Sequence, residues 1–187
     1  MPMPVAVEVW KDHRRLPSPE ALAEDDRMLE AVAAGMRPAT LRLWTMPDVV
    51  VCPASMRRKW EAAGPGHPAP LFRSTGGGIV AVEQGVRFWS LAWSTPREDA
   101  PSIDEAYLYL ATRLSAALEQ AGVPADVAEV PEAMCRGRYD IAIGGQKIAG
   151  LSQRRIERGD PGARVSAFLV HAFILENADV LSVEKRC

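Results

Sequence analysis

The amino-acid sequence predicts an α+β fold: a mixed, mostly antiparallel sheet flanked by helices. Three observations carry that expectation. Apolar residues recur at helical spacing in the stretches 18–35 and 102–121, whereas many shorter stretches rich in Val, Ile, Leu, Phe and Trp read as strands. These strands adjoin one another in pairs and do not alternate regularly with helices, which argues against a doubly wound parallel sheet. The pair Gly144-Gly145 between two of them is a hairpin signal, because both central residues of a type I′ turn need positive φ.

In chain order, the first strand is expected over Val5–Trp10. Ser18 as N-cap and Pro19 at the first helical position then open a helix with Leu22, Leu29, Val32 and Ala33 on one face, closed by Gly35. Strands follow at Leu41–Trp44, Val49–Cys52, Ile79–Glu83 and Arg87–Trp93. The Pro-rich stretches Ala62–Pro70 (AAGPGHPAP) and Ser94–Pro101 (STPREDAP) read as loops, neither long enough to divide the chain. The best-marked element runs from Ser102 to Ala121. Ser102 and Glu105 form a capping box, Ala106, Tyr107, Leu110, Leu114, Ala117, Leu118 and Ala121 follow at helical spacing, and Gly122 and Pro124 stop it. Strands are then expected at Asp126–Val130, Tyr139–Ile143, Gln146–Arg154 and Arg164–Leu175, with Glu157–Ala163 as an exposed connection. Lys147 thus falls just inside the return strand of a hairpin.

Composition bounds the function. A chain of 187 residues, 48% apolar with a mean hydropathy of -0.08, can bury one substantial core, and a single domain over residues 1–187 is expected. The 22 basic and 24 acidic residues leave a net charge of -2, so no broad positive field marks a surface for nucleic acid or anionic lipid. The opening MPMPVAVEVW lacks a basic n-region, and no stretch approaches the length of a membrane span; a soluble cytoplasmic protein is expected. Cys52, Cys135 and Cys187, odd in number and widely spaced, suggest neither a disulfide framework nor a metal site. Each is either buried filler or a reactive thiol.

Two segments stand out chemically. In Phe72-Arg73-Ser74-Thr75-Gly76-Gly77-Gly78-Ile79-Val80, three glycines let a ligand approach the backbone and let successive amides converge on an anion, with Arg73 as a forked cation beside them. This is neither a Walker loop nor a dinucleotide fingerprint, since no Gly-Lys-Ser/Thr follows and the glycines lead into a β-like run. A plain Gly-rich bend is the alternative. In the second segment, Gly137 to Arg154, Lys147 lies among Ile148, Ala149 and Gly150, where a long cation near the core rim needs a carboxylate or phosphate as counter-charge. The alternative is a snorkelling edge-strand lysine.

Taken together, RSTGGGIV (Arg73 to Val80), GRYDIAI (Gly137 to Ile143) and GQKIAGLSQRR (Gly145 to Arg155) resemble the catalytic core of the lipoate-protein ligase A and octanoyltransferase superfamily. The resemblance extends upstream to LRLWTMPDVVV (Leu41 to Val51) and downstream to LVHAFIL (Leu169 to Leu175), covering most of the chain in order. Biotin ligases share the fold, but RSTGGG is more similar to the lipoate form.

The resemblance implies a class II synthetase-like biotin/lipoate ligase catalytic domain that lacks the usual C-terminal accessory domain. It implies attachment of a lipoyl or octanoyl group to a lysine of a carrier: the lipoyl domain of a 2-oxoacid dehydrogenase complex, or the glycine cleavage H-protein. The leading route is ligase-like, through an acyl-adenylate, using ATP and Mg2+, with a separate accessory subunit as a further candidate partner. The alternatives are an octanoyl-thioester transferase working through a cysteine and a catalytically degenerate acyl-binding homologue. By the same resemblance Lys147 would contact the acyl carbonyl, and Arg73, Ser74, Thr75, Gly76, Gly77, Gly78, Asp140, Gly150 and His171 would bind substrate. Cys135, flanked by Arg136 and Arg138, is the candidate thiol for the thioester route.

The chain also departs from that pattern. Cys52-Pro53-Ala54-Ser55 stands where the family commonly has Gly-Arg-x-Gln, and Ala81-Val82-Glu83 where it has Tyr-His-Asp. His171 is followed by Ala172 in place of glycine, and a hydrogen-bonded core histidine is preferred to a catalytic role for it.

Overall fold

A computed structural model of the chain describes residues 6–14, 16, 18–46, 49–62, 69–82, 86–133 and 135–175. The strands are β1 (Glu8–Lys11), β2 (Thr40–Trp44), β3 (Val49–Pro53), β4 (Leu71–Arg73), β5 (Val80–Val82), β6 (Val86–Pro96), β7 (Asp126–Ala128), β8 (Asp140–Ile143), β9 (Gln146–Arg158) and β10 (Val165–Leu175). The helices are α1 (Ser18–Ala33), α2 (Arg57–Ala62) and α3 (Ile103–Gln120). Seven strands form one sheet in the order β1-β2-β6-β10-β9-β8-β7, and a smaller sheet has the order β4-β3-β5. The β1–β2 and β3–β4 pairs are parallel and the others antiparallel. The expected α+β architecture is the one observed.

The central strand β10 reads VSAFLVHAFIL, almost continuously apolar, as a strand covered on both faces must be. Phe168, Val170, Ala172 and Ile174 pack with Tyr109, Leu110 and Leu114 of α3 on one face. Ala167 and Leu169 meet Met28, Leu29 and Val32 of α1 on the other. The small sheet shares that second face: Val51, Val80 and Val82 join Leu22, Trp44 and Phe88 in a separate apolar cluster. Between small sheet and large sheet lies the space that becomes the site.

Several boundaries move for physical reasons. The loop expected over Ser94–Pro101 is corrected: Ser94, Thr95 and Pro96 continue β6 because they pair with Ala167, Ser166 and Val165. β9 likewise runs on to Arg158, where Arg158 faces Val165, so the connection to β10 is shorter than Glu157–Ala163. The helix α2 was not expected, since six residues are too few to display a helical period. Val5 and Glu83, ends of two expected strands, most of the Ala62–Pro70 loop and the cap side chain of Ser18 lie outside the described residues. The Ser102–Glu105 capping box forms as read. No helix of the described residues is long and apolar enough to cross a membrane.

A buried ion network ties the start of the chain to this core. Arg42 on β2, 1% exposed, lies between Asp12 at 2.8 Å and Asp25 of α1 at 2.7 Å, with its guanidinium 4.4 Å from the Trp44 ring centroid. Asp12 also accepts from Arg14 at 2.8 Å. The Arg14 side chain foremost, with Arg42, outweighs burial and lowers the Asp12 carboxyl from 3.8 to about 2. A depressed acid stabilises the fold above its unfolded pKa and loses that contribution as pH falls through its folded value. Stability is therefore expected to decline between about pH 4 and pH 2, and Asp12→Asn is expected to be less stable at neutral pH with a flatter decline over that window. Urea unfolding at a series of pH values measures this; an unchanged acid slope would contradict it.

Candidate functional site

Lys147 owes its direction to a fault in strand pairing. Ile141 pairs with Ala149 but the next residue, Ala142, pairs with Lys147, so Ile148 is an extra residue in β9. Alternation without that bulge would put Lys147 on the face of Ala149, which packs in the α3 core. The bulge turns it to the other face, where Gly150 and Ser152 line a cavity with it. The Gly144-Gly145 turn, at φ 57 and 81, closes this hairpin as expected.

The cavity, of about 290 Å³, is walled by Val51, Val80, Phe88, Leu151 and Phe173, with Tyr107 and Tyr139 at one side. Lys147 enters its polar end. It is 8% exposed, and its ammonium donates to Asp140 Oδ2 at 2.9 Å and to the Cys135 carbonyl at 2.6 Å. Asp140 also accepts from the Gly137 amide at 2.9 Å. Burial pushes the Asp140 carboxyl up, against the pull of the Lys147 ammonium and the Gly137 amide. The counter-charge that Lys147 needs is thus supplied within the hairpin by Asp140.

Cys135 sits in the turn above this ion pair with φ 60, a left-handed conformation uncommon outside glycine. The turn brings its carbonyl onto Lys147 and its thiol onto the glycine loop: a Cβ at Gly78 would overlap Cys135 Sγ. Gly150 is needed for a similar reason, since a Cβ there would lie 2.6 Å from the Phe173 ring and 3.0 Å from Lys147 Cε.

The glycine loop forms the facing wall, and other parts of the molecule hold it in shape. Arg73, 5% exposed, donates from one nitrogen to the carbonyls of Gly76 and Gly78, each at 2.7 Å. Burial lowers its pKa, and its Nε has no hydrogen-bond partner among the described residues. Ser74 donates to Asp26 of α1 at 2.5 Å, the Gly76 amide donates to the Gln153 carbonyl, and Thr75 lies between Ser152 and His171. The amides of Gly77 and Gly78 donate to no backbone carbonyl among the described residues, and both glycines line the cavity.

Of the residues expected at the site, Lys147, Cys135, Arg73, Gly77, Gly78, Asp140, Gly150 and His171 line one cavity. Ser74, Thr75 and Gly76 stand behind its wall and brace it. Sequence reasoning missed Ser152, Phe88 and Phe173. Their signal was available in strand alternation, because His171 pairs with Ser90 and Ser152, and Phe173 with Phe88 and Gly150, all on the cavity face. Among the described residues no three His, Cys, Asp or Glu side chains converge as a metal site. The cavity's carboxylates, Asp104 and Asp140, are already held by Arg138 and Lys147 at 2.7 and 2.9 Å.

Comparison with known proteins shows the family and the fold. Residues 17–181 match the family described as the lipoyl protein ligase A/B catalytic domain. An octanoyl-[GcvH]:protein N-octanoyltransferase of Geobacillus kaustophilus is 31% identical over 147 residues, which cover 75% of this chain and 51% of that protein. The chain thus spans about half the length of the curated relatives it matches. A lipoate-protein ligase A solved with bound ATP superposes with a TM-score of 0.67 at 19% identity, covering 95% of this chain and 70% of that one. A bi-partite lipoate protein ligase of Thermoplasma acidophilum, from a structural study that includes its E2 lipoyl domain, gives 0.65 at 18% identity over 95% of this chain and 65% of the other. These structures share the fold.

Because Lys147 and Asp140 are both buried, removing one strands the other. Asp140→Ala is expected to cost about 3–5 kcal/mol of stability, the usual penalty for an uncompensated buried charge, while Asp140→Leu combined with Lys147→Met recovers most of it. Chemical unfolding of the single and double variants checks this; a single variant as stable as the parent would show the pair to be solvated.

Proposed function

The chain belongs to the lipoyl protein ligase A/B catalytic-domain family, and from that premise we propose that it transfers an octanoyl or lipoyl group to a lysine of a lipoyl carrier domain through a thioester on Cys135. The observation that carries this reading is the Cys135 thiol, which lines the cavity against Gly78 while its own carbonyl holds the Lys147 ammonium at 2.6 Å. Nucleophile, fixed cation and glycine loop line one cavity.

The chemistry divides into two displacements. Cys135, as thiolate, attacks the carbonyl carbon of an incoming acyl thioester; the new C–S bond forms, the old one breaks and the donor thiol leaves. The acceptor lysine, as amine, then attacks the acyl-cysteine, forming the amide and releasing Cys135. Each tetrahedral intermediate carries an oxyanion. The Lys147 ammonium and the Gly77 and Gly78 amides are its candidate stabilisers, fixed in advance by Asp140 and Arg73. The apolar wall of Phe88, Val80 and Phe173 suits an aliphatic tail. By likeness to relatives named octanoyl-[GcvH]:protein N-octanoyltransferases, the proposed carriers are the glycine cleavage H-protein and the lipoyl domains of 2-oxoacid dehydrogenases.

The second reading is a ligase that forms an acyl-adenylate from free acid, ATP and Mg2+. Arg73 and Lys147, two cations in one cavity, favour it, since a phosphate suits them as well as a carboxyl does. A magnesium ion held directly by the protein does not fit the cavity's donor set, because Asp104 and Asp140 are engaged by cations.

Mass spectrometry separates these readings. Incubated with an octanoyl thioester and a lipoyl domain, the protein is expected to gain an octanoyl group on Cys135 and pass it to the carrier lysine. Cys135→Ala abolishes both steps, and Lys147→Ala slows them by about 10²–10³-fold, the usual effect of losing one oxyanion donor. Transfer from free acid and ATP that survives Cys135→Ala would establish the adenylate route instead. Acyl binding without turnover on either substrate would leave an acyl-binding module.

A further inference from the structure

A chain of buried polar groups leads away from this cavity at Ser152. Ser152, 5% exposed, is part of the cavity wall, and its Oγ lies 3.0 Å from Thr75 Oγ1. Thr75, 1% exposed, lies 2.9 Å from Nε2 of His171. The other ring nitrogen, Nδ1, is buried without a hydrogen-bond partner at bonding distance and faces Asp25 Oδ2 at 3.5 Å. Asp25, 3% exposed, accepts from Ser90 at 2.6 Å and from Arg42 at 2.7 Å, as an ionised carboxylate does. Four structural units, α1, β10, the glycine loop and β9, contribute one link each.

The direction of the proton chain follows from Asp25. A lone pair on Nδ1 aimed at a carboxylate would be repelled, whereas an N–H there is attracted, so Asp25 selects the Nδ1–H tautomer. Nε2 is then an acceptor for the Thr75 hydroxyl, and the Thr75 oxygen is in turn an acceptor for Ser152. This leaves the Ser152 oxygen with a lone pair toward the cavity. We propose that His171, backed by Asp25, is the proton acceptor for the aminolysis step, reached from the cavity through Ser152 and Thr75.

The inference rests on the thioester reading above. As the acceptor amine attacks the acyl carbon, the N–C bond forms and the bond to Cys135 Sγ breaks. The amine proton passes to Ser152 Oγ while the Ser152 proton moves to Thr75 and the Thr75 proton to Nε2. The products are an amide, a Cys135 thiolate and an imidazolium beside Asp25; the proton then returns along the same path to the thiolate. The charged groups around His171 are Asp25 from α1, with Arg42 of β2 behind it, and Lys147 of β9, Arg73 of β4 and Asp140 of β8 across the cavity. Ser90 and Phe88 of β6 add no charge.

Nitrogen-15 NMR of the full chain reads the tautomer directly. The protein has three histidines, and His171→Gln assigns the signal. The expected state at neutral pH is Nδ1–H with an unprotonated Nε2; an Nε2–H tautomer would overturn the proposal, because that nitrogen could accept nothing. Single-turnover transfer from preloaded acyl-Cys135 to a lipoyl domain supplies the second readout. The wild-type rate is expected to fall on the acid side as the imidazole protonates. In His171→Gln that limb disappears and the rate drops by about 10²-fold, the lower end for a general base. Thr75→Val, which leaves the imidazole intact, is expected to lose the same limb. A Cys135 thioester that forms and transfers with unchanged pH profiles in His171→Gln and Thr75→Val would sink the relay alone. Failure of the wild type to form any Cys135 thioester would sink the thioester reading and the relay's task with it.

Discussion

The ion pair between Lys147 and Asp140 is the constraint around which the site is built. An ammonium that is 8% exposed cannot stay charged in an apolar cavity without an anion in contact, and the hairpin of β8 and β9 supplies one at 2.9 Å. That single requirement accounts for several oddities at once. The extra residue Ile148 in β9 turns Lys147 to the cavity face, and the left-handed backbone at Cys135 brings a carbonyl onto the same ammonium. The Gly137 amide completes the shell of Asp140. A cation so restrained needs little reorganisation when negative charge develops on a neighbouring oxygen.

The facing wall follows a matching logic. A run of three glycines has no side chains to hold it, so its shape must come from outside. Arg73 clamps two of its carbonyls, and Ser74 and Thr75 bind it to α1, β9 and β10. Gly78 leaves room for the Cys135 thiol to rest on the loop backbone, so the two walls meet at sulfur. The same bracing reaches Arg42 and Asp25, which connect the cavity to the ion network of the N-terminal strand. The site is thereby coupled to the most buried polar part of the core.

Much of this was legible in the sequence, and for specific reasons. The capping box at Ser102 and Glu105, the Gly144-Gly145 turn and the near-continuous apolar run of β10 are local signals, and local signals survive into the fold. The convergence of RSTGGG with Lys147 came from a resemblance spread over most of the chain and not from either segment alone. Three features were not legible. The bulge at Ile148 depends on pairing with β8, which the sequence of β9 does not encode by itself. The partner of Lys147 was expected to be a ligand, because nothing local indicates that Asp140, seven residues earlier, faces it. Arg73 was read as a free anion-binding fork, whereas burial without a carboxylate turns it onto the loop carbonyls. In each case a long-range contact decided between readings that local chemistry left equal.

On the proposed reading Lys147, the Gly77–Gly78 backbone and Cys135 converge on one acyl headgroup. A crystal structure of the protein soaked with octanoate tests it most directly. The carboxylate is expected within hydrogen-bond distance of Lys147 Nζ and the loop amides, beside Cys135 Sγ, with the tail along Phe88 and Phe173. A fatty acid bound elsewhere, with this cavity left to solvent, would contradict it.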